Sequence, residues 1–298
     1  NCFGNDLFPP YGEMTPDTIR NSVYGKTLET IEVDEDKIIA RAPAMCAGCP
    51  HRGFFYQLGK KRNLVISGDI GCYTLGFNEP YNAMDFNICM GASASAGHGV
   101  QKVFDLEEDS NKRVVAVMGD STFFHSGINS LMNIAYNGSN VITAILDNRI
   151  TGMTGHQENP GTGYTLSGDT TVELNIEKLV EACGINHIKV INPNNINEVD
   201  EALNWALKHD EPSVIITRWP CVLKKLTHRD RDEFNNVFED KYEVKHENCT
   251  GCKVCIRLGC PAISFDTKTR KAKINIDECV GCAVCSQVCL FNAIGKVE

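Results

Sequence analysis

The sequence predicts a doubly wound α/β domain followed by a small α+β domain. Between about residues 50 and 220, short apolar runs alternate with amphipathic helical stretches, a pattern typical of a parallel sheet with helices on both faces. After residue 242 this alternation stops, and the motif Cys-x2-Cys-x2-Cys occurs twice. A chain of 298 residues is long enough for both parts.

The alternating region contains five expected strands and five expected helices. The strands are expected at 63–67, 113–118, 141–146, 187–191 and 213–217. The helices are expected at 52–62, 92–104, 126–137, 175–183 and 196–208. Thr15-Pro16-Asp17 predicts one earlier helix, with a hydroxyl cap, a proline and an acid in its first turn. The predicted organisation is an extension at 1–40, the large domain at 41–222, a charged linker at 223–242 and the small domain at 243–298.

Composition excludes several functional classes. The formal net charge of −9 argues against a nucleic-acid partner, because no basic field would attract phosphates. No apolar run is long enough for a membrane span, and residues 1–10 lack the features of a secretory signal. Fifteen cysteines in a chain of this size favour metal ligation in a reducing, cytoplasmic setting over disulfide bonding.

Eight of those cysteines form the two repeated motifs near the C-terminus. Three thiolates spaced by three residues wrap around one [4Fe–4S] cubane, while the fourth ligand comes from the other motif. This arrangement predicts two ligand sets, namely Cys249, Cys252, Cys255 and Cys289, and Cys279, Cys282, Cys285 and Cys260. Segments 263–266 and 271–276 between them suit a hairpin. The alternative is a pair of zinc sites, although zinc motifs rarely repeat the three-cysteine spacing.

Polar side chains follow two consecutive strands of the predicted sheet. Gly119-Asp120-Ser121 ends the strand at 113–118, and Asp147-Asn148-Arg149 ends the strand at 141–146. Parallel strands end at the same sheet edge, so Asp120 and Asn148 are expected to share one crevice and to supply oxygen ligands for Mg²⁺. Glycines near these residues would let the backbone approach a diphosphate, namely Gly119, Gly127, Gly152 and Gly155. The paired motif favours a thiamine-diphosphate site over a simple turn.

Several longer motifs resemble one known family. They are Met45–Arg52 (MCAGCPHR), Gly68–Gly76 (GDIGCYTLG), Cys89–Ser93 (CMGAS), Gly119–Gly127 (GDSTFFHSG) and Met153–Gln157 (MTGHQ). Together they resemble the C-terminal half of the large subunit of indolepyruvate:ferredoxin oxidoreductase, within the 2-oxoacid:ferredoxin oxidoreductases. Four residues separate Cys255 from Cys260, where ordinary two-cluster ferredoxins have three, and the longer spacing is expected in this family.

The resemblance implies oxidative decarboxylation of an aryl 2-oxo acid to its acyl-coenzyme A, with electrons passed through [4Fe–4S] clusters to ferredoxin. It also implies a small beta subunit as a partner. By position, Asp120, Asn148 and the Ile150 carbonyl would hold Mg²⁺. The residues that would line the diphosphate are Gly91, Gly119, Ser121, Thr154 and Gly155. His51 and His125 are candidate catalytic side chains, and for each the alternative is a structural role.

A third [4Fe–4S] cluster is expected beside the thiamine ring. In the wider family, cysteines in the contexts of Cys46, Cys49, Cys72 and Cys221 hold such a cluster. The alternative is that some of them are small buried side chains, as expected for Cys89 and Cys183.

The chain shows no second α/β domain that could carry the glutamate required against the cofactor's aminopyrimidine. We therefore expect either a fragment of a longer chain or a separate polypeptide with the pyrimidine-binding domain. Two other functions stay open from the sequence. One is a related oxidoreductase acting on pyruvate or an arylglyoxylate, and the other is an electron-transfer module with a relic thiamine domain.

Overall fold

The computed structural model describes residues 4–26, 33–39, 42–107, 110–234 and 238–297. It contains two compact units, Asn1–Ala42 and Pro43–Glu298. Parts of the expected extension and linker, at 1–3, 27–32, 40–41 and 235–237, lie outside the described residues. Within the first unit, helix α1 (Pro16–Tyr24) begins where predicted, because the Thr15 hydroxyl accepts a hydrogen bond from the Thr18 N–H at 3.1 Å.

The second unit is built on a six-stranded parallel sheet. Its strands are β1 (Leu64–Gly68), β2 (Phe86–Asn87), β3 (Arg113–Gly119), β4 (Ile142–Asp147), β5 (His187–Ile191) and β6 (Ser213–Arg218). They lie in the order β2-β1-β3-β4-β6-β5, and every neighbouring pair is parallel. Five strands match the sequence prediction within one or two residues. The two-residue strand β2 was not predicted, since so short a segment has no periodicity.

Helices cover both faces of this sheet. They are α2 (His51–Leu58), α3 (Ser93–Phe104), α4 (Asp120–Thr122), α5 (Ile128–Tyr136), α6 (Ile176–Ala182) and α7 (Ile196–Ala206). A π-helical turn, Phe123–Gly127, joins α4 to α5, so the helix predicted from 126 follows a wider turn.

Alternate residues of each central strand face opposite cores. Val115 and Val117 pack in a cluster with α2 and α7, whereas Val114 and Ala116 pack in another with α3, α5 and α6. All four side chains are fully buried. Burial on both faces explains why these strands are continuously apolar, and the predicted doubly wound fold is confirmed.

The cysteine-rich tail has its own small core. Strands β8 (Ile263–Asp266) and β9 (Lys271–Ile274) form the predicted antiparallel hairpin. The strand β7 (Tyr242–Val244) pairs with β10 (Ile294–Lys296), which ties the start of the tail to its end. A short helix α9 (Val284–Gln287) contains Cys285, the third cysteine of the second motif.

The tail packs directly against the sheet domain, within the same compact unit. Gly48, at a φ of +65°, lies so close to the tail that a Cβ atom there would be 2.0 Å from Val280 Cγ2. Gln287 Nε2 also donates to the Asn194 carbonyl at 2.7 Å. These contacts join the sheet domain and the tail. The predicted boundary between them, as two domains that fold independently, therefore stays a prediction.

The expected linker is structured rather than a simple connector. It contains helix α8 (His228–Glu233), which begins with a capping box between Thr227 and Asp230. Asp230 is buried and pairs with Lys224 at 2.8 Å. The linker was predicted from the many charged residues of this segment. Two of them, Lys224 and Asp230, form a buried ion pair. No helix in the described part of the chain has the length and apolar character of a membrane-spanning segment.

Candidate functional site

Asp120 and Asn148 line one cavity at the carboxyl edge of the sheet, in agreement with the expectation from the strand ends. Strand β3 pairs with β4 so that Gly119 lies opposite Leu146, and Asp120 and Asn148 follow these strand ends. Gly119 has no room for a side chain, because a Cβ atom there would lie 2.8 Å from the Tyr73 ring.

The cavity is partly open to solvent. Nine of its lining residues were singled out in the sequence, namely His51, Cys72, Gly119, Asp120, Ser121, Asn148, Ile150, Gly152 and Thr154. Apolar side chains complete the wall, including Ile70, Met90 and Met153. A cavity with apolar walls and a few convergent polar groups is typical of a cofactor site.

Asp120 is a buried carboxylate whose described hydrogen-bond partners are neutral. Burial raises the pKa of Asp120 to about 7, and the nearby negative charge of Asp147 acts in the same direction. Asn159 Nδ2 donates to its Oδ2 atom at 3.0 Å. The carboxylate of Asp147, in contrast, is neutralised by Arg218, whose Nε lies 2.7 Å away. Asp120 is therefore the carboxylate in this crevice that a divalent cation would stabilise, and the site fits Mg²⁺.

His51 is a buried, neutral imidazole in the wall of the cavity. It is 2% exposed, and burial lowers its pKa to about 4. Its Nε2 atom lies 3.4 Å from Asn148 Nδ2, and its ring packs edge-on against Tyr73 with 5.8 Å between centroids. His51 therefore contacts the side chain expected to bind the metal. It is placed to position Asn148 or to meet a bound cofactor.

Sequence reasoning missed the residue that shapes the loop beside the cavity. Asp69 is fully buried and accepts hydrogen bonds from the Gly91 N–H at 2.9 Å and the Ser93 N–H at 3.3 Å. It fixes the turn in which Gly91 has a φ of +87°. A signal was available, since Asp69 follows strand β1 directly as Asp120 follows β3. Asn159 and Tyr73 were also missed as site residues, although Tyr73 belongs to the quoted Gly68–Gly76 motif, whereas Asn159 lies outside the quoted motifs.

Some predicted site residues do not line this cavity. His125 lies exposed on the π-helical turn. Gly155 lies in an exposed turn at 151–157, where Thr151 and Gln157 form a bridge. Gly91 is held by Asp69 next to Met90, which does line the cavity.

Four thiols from three segments are expected to form the third ligand set. Burial raises the pKa of Cys49 to about 12, and negative charge on Cys221 and Cys46 would raise it further. Burial likewise raises the pKa of Cys72, again with contributions from Cys221 and Cys46. Cys49 and Cys72 thus each lie near Cys221 and Cys46, and the ligation of one cluster by all four thiols stays a prediction.

Of these four thiols, Cys72 adjoins the crevice that contains Asp120 and Asn148. Cys72 lines the cavity itself. A Cβ atom on Gly152 would lie 3.6 Å from Asn148 Nδ2 and 3.7 Å from Cys72 Sγ, so both residues surround the same small space.

The other two cysteines of the sheet domain differ in burial. Cys183 packs against the apolar core as expected, whereas the expectation that Cys89 is buried is wrong, since it is exposed.

The tail thiols form two sets, each around its own cavity. One cavity of about 360 Å³ is lined by Cys249, Cys252, Cys255 and Cys289. The other, of about 400 Å³, is lined by Cys260, Cys279, Cys282 and Cys285. These are the two crossed sets predicted from the spacing. The Ala293 N–H lies 3.2 Å from Cys289 Sγ, as a donor to a ligating sulfur would.

Among the described residues, no three His, Cys, Asp or Glu side chains converge closely enough to hold one metal ion. The assignment of a [4Fe–4S] cluster to each tail set stays a prediction.

Comparison with known families agrees with the interpretation of the cavity as a thiamine diphosphate site. Residues 69–217, half of the chain, match the family described as thiamine pyrophosphate enzyme, C-terminal TPP binding domain. The chain belongs to the thiamine pyrophosphate enzymes. In this thiamine pyrophosphate enzyme, both Asp120 and Asn148 lie within the matched segment.

Curated relatives extend the match into the tail. Indolepyruvate oxidoreductase subunit IorA of Archaeoglobus fulgidus is 39% identical over 277 residues, which cover 89% of this chain and 42% of that protein. The subunit of the same name from Thermococcus kodakarensis is 38% identical, covering 99% of this chain and 48% of that protein. The family resemblance seen in the motifs is thus confirmed. The chain spans less than half the length of these relatives.

A solved structure supports the fold. The 2-oxoglutarate:ferredoxin oxidoreductase from Magnetococcus marinus, with 2-oxoglutarate, coenzyme A and succinyl-CoA bound, matches with a TM-score of 0.55 and 18% identity. The match covers 65% of this chain and 70% of that chain. The two proteins therefore share the architecture of this domain.

Proposed function

We propose that this chain is the part of a 2-oxoacid:ferredoxin oxidoreductase that binds Mg²⁺ and the diphosphate of thiamine diphosphate and that carries the electron exit. The preferred substrate is an aryl 2-oxo acid such as indolepyruvate, with an acyl-coenzyme A as product. The partners would be the polypeptide or missing half with the pyrimidine-binding domain, a small beta subunit, and ferredoxin.

One observation carries this proposal: Cys72 lines the proposed cofactor cavity and is also near the thiols of Cys46 and Cys221. A thiamine enzyme without redox chemistry has no use for thiols at this position. An electron-transfer module with a relic domain would have no need for a buried Asp120 beside Asn148. The two features together favour a site in which decarboxylation is coupled to removal of electrons.

The chain's own residues would divide the work of binding. Asp120, Asn148 and the Ile150 carbonyl would hold Mg²⁺, and Ser121 and Thr154 would contact the diphosphate. Thiamine diphosphate, when bound, supplies the carbon nucleophile for 2-oxo acids, and cubanes accept electrons singly. The low pKa of His51, a consequence of burial, keeps this side chain neutral near pH 7, so its role is positional or hydrogen-bonding.

The three thiol groups would hold the clusters through which electrons leave the cofactor. Cys46, Cys49, Cys72 and Cys221 adjoin the cofactor cavity, while the other two sets lie in the tail. Because the tail packs on the 45–52 segment, the set with Cys260 is near the first group. We assign a [4Fe–4S] cluster to each set, with the tail as the surface that meets ferredoxin.

Support for an aryl substrate is the apolar rim of the cavity. Ile70, Met90 and Met153 line it and are 40%, 52% and 52% exposed. Methionine adapts to irregular apolar shapes and makes favourable contacts with aromatic rings. Pyruvate would make no use of this surface.

The test is turnover of the fully assembled enzyme with indolepyruvate, phenylpyruvate and pyruvate, in the presence of coenzyme A and ferredoxin. We expect acyl-coenzyme A formation and ferredoxin reduction with the two aryl substrates, each at a kcat/KM at least tenfold above that for pyruvate. Equal or greater turnover of pyruvate would contradict the aryl preference. Ferredoxin reduction by none of the three would contradict the proposed activity.

A further inference from the structure

Arg52 is a buried cation between the sheet domain and the tail. It lies in the first turn of α2, three residues after Cys49, and is 2% exposed. Burying a guanidinium is costly unless its donors are satisfied or it faces negative charge. The groups around the Arg52 guanidinium therefore show how its N–H donors and its charge are satisfied.

Four of the five N–H donors of Arg52 are accounted for by oxygen acceptors. Nη1 donates to the Tyr81 hydroxyl and, at 2.7 Å, to the Leu258 carbonyl. Nη2 donates to the carbonyls of Met45 at 2.7 Å and Cys46 at 2.8 Å. Arg52 thus clamps the Cys46–Cys49 loop to the tail segment that leads into Cys260.

The fifth donor, the Nε–H, is buried and has no hydrogen-bond partner among the described residues. Arg52 also lines the cavity formed by Cys260, Cys279, Cys282 and Cys285. If a [4Fe–4S] cluster occupies this cavity, its thiolate and sulfide sulfur atoms would be the available hydrogen-bond acceptors. All the acceptors that already satisfy the guanidinium are neutral oxygens.

We propose that the Nε–H of Arg52 donates a hydrogen bond to a sulfur atom of the [4Fe–4S] cluster held by Cys260, Cys279, Cys282 and Cys285, and that Arg52 sets the reduction potential of this cluster. The inference rests on the proposed function, because it requires a cubane in that cavity. A donor and a positive charge beside the cluster stabilise its reduced form, which carries one more negative charge. The cluster that receives electrons from the large domain would therefore have a higher potential than it would have without Arg52.

The test uses the assembled enzyme, prepared anaerobically with ¹⁵N-labelled arginine, and pulsed EPR of the reduced clusters. We expect an arginine ¹⁵N coupling in the unaltered enzyme that disappears in Arg52→Lys, because lysine retains a charge but has no Nε–H. In a redox titration, Arg52→Lys should shift the potential of one cubane to a more negative value and leave the others unchanged. Arg257→Lys is the matched control, since Arg257 is exposed on the tail beside Leu258, and it should preserve both signals.

Three results would overturn the proposal: no arginine coupling in the unaltered enzyme, a coupling that persists in Arg52→Lys, or an unchanged potential in that variant. If Arg52→Lys fails to hold the cluster, the coupling in the unaltered enzyme and in Arg257→Lys decides the matter. Absence of any cubane signal in unaltered, iron-reconstituted enzyme would overturn the proposed function as well. Normal cubanes without the coupling would overturn the role of Arg52 alone.

Discussion

Asn159 Nδ2 donates a hydrogen bond to Asp120 Oδ2 at 3.0 Å, and both side chains are buried. The two residues are 39 positions apart and belong to different segments. Asn159 is itself fixed, because its Oδ1 atom accepts from the Gly161 N–H at 2.9 Å. It therefore orients the carboxylate that we assign to Mg²⁺ and leaves the other carboxylate oxygen for the metal.

Replacement of this carboxylate should remove the cofactor. We expect Asp120→Ala to weaken Mg²⁺-dependent retention of thiamine diphosphate by more than about 100-fold, since a direct ligand contributes more than its supporting residues do. Bound thiamine, measured after gel filtration, should fall below detection while the iron of the tail is retained. Asp105→Ala, at an exposed position, is the control. Full retention of thiamine by Asp120→Ala would show that the metal lies elsewhere.

Loss of the supporting amide should have a smaller effect. Asn159→Ala frees the Asp120 carboxylate to rotate, and we expect Mg²⁺ affinity to fall about 10- to 100-fold without loss of the fold. Titration of the apoenzyme with Mg²⁺ at fixed thiamine diphosphate measures this change. Asn133→Ala, on the exposed face of α5, should have no effect. An unchanged affinity in Asn159→Ala would assign a purely structural role to the 3.0 Å bond.

The buried pair of Lys224 and Asp230 should stabilise the segment between the sheet and the tail. Their side chains are 5% and 6% exposed. Asp230→Asn leaves the lysine charge buried without a counter-ion, so we expect the free energy of unfolding at pH 7 to fall by about 3 kcal/mol. Anaerobic urea unfolding measures the change. Asp232→Asn, on the exposed side of the same helix, should alter it by less than about 0.5 kcal/mol.

This contribution should depend on pH in a defined direction. Burial tends to raise the pKa of Asp230, but the Lys224 ion pair and the hydrogen bonds from Thr227 lower it below its ordinary value overall. A carboxylate with a lower pKa in the folded state stabilises the protein above its unfolded pKa, about 4, and loses this effect as the pH falls further. The stability difference between Asp230→Asn and the unaltered chain should therefore be constant from pH 7 to 5 and shrink below pH 4. A difference that grows on acidification would contradict the ion-pair explanation.

The sequence predicted what depends on local patterns. Asp120 and Asn148 could be found because each follows an apolar strand, and consecutive parallel strands end at one edge. The two tail sets could be found because a cubane requires a fixed spacing of cysteines, with the fourth ligand crossing over. In each case the chemistry itself constrains the spacing along the chain.

The sequence could not predict what depends on packing between distant segments. Nothing in the pattern around Asn159 shows that it meets Asp120, and nothing around Arg52 shows that it meets Leu258. The linker interpretation misjudged the 223–234 region because a run of charges is usually solvated, whereas here Lys224 and Asp230 neutralise each other inside the fold. His125, a candidate from its motif, lies exposed on the π-helical turn Phe123–Gly127, whose wider winding has no signal in the sequence pattern.

Iron content should reveal the third cluster. Three cubanes predict about twelve irons per chain and two predict about eight. We expect Cys72→Ala to lose about four irons and to uncouple decarboxylation from ferredoxin reduction. Cys183→Ala is the control, since Cys183 packs against the apolar core. Fully reconstituted protein that stops at eight irons would contradict the assignment of Cys46, Cys49, Cys72 and Cys221.

Ferredoxin reduction should slow as salt is added. From residue 241 onward the sequence has nine Lys or Arg and six Asp or Glu, whereas the complete chain has a formal charge of −9. Clusters bound to the tail would add negative charge, yet the tail would remain less acidic than the rest of the chain. An acidic ferredoxin would therefore be steered toward the tail. Salt screens such steering, with a Debye length of about 10 Å at 0.1 M ionic strength.

We expect kcat/KM for ferredoxin to fall several-fold between low salt and 0.3 M NaCl, while the rate with a small neutral electron acceptor stays constant. The second measurement separates docking from any effect of salt on the chemistry, and a flat ferredoxin profile would place the docking surface away from the tail.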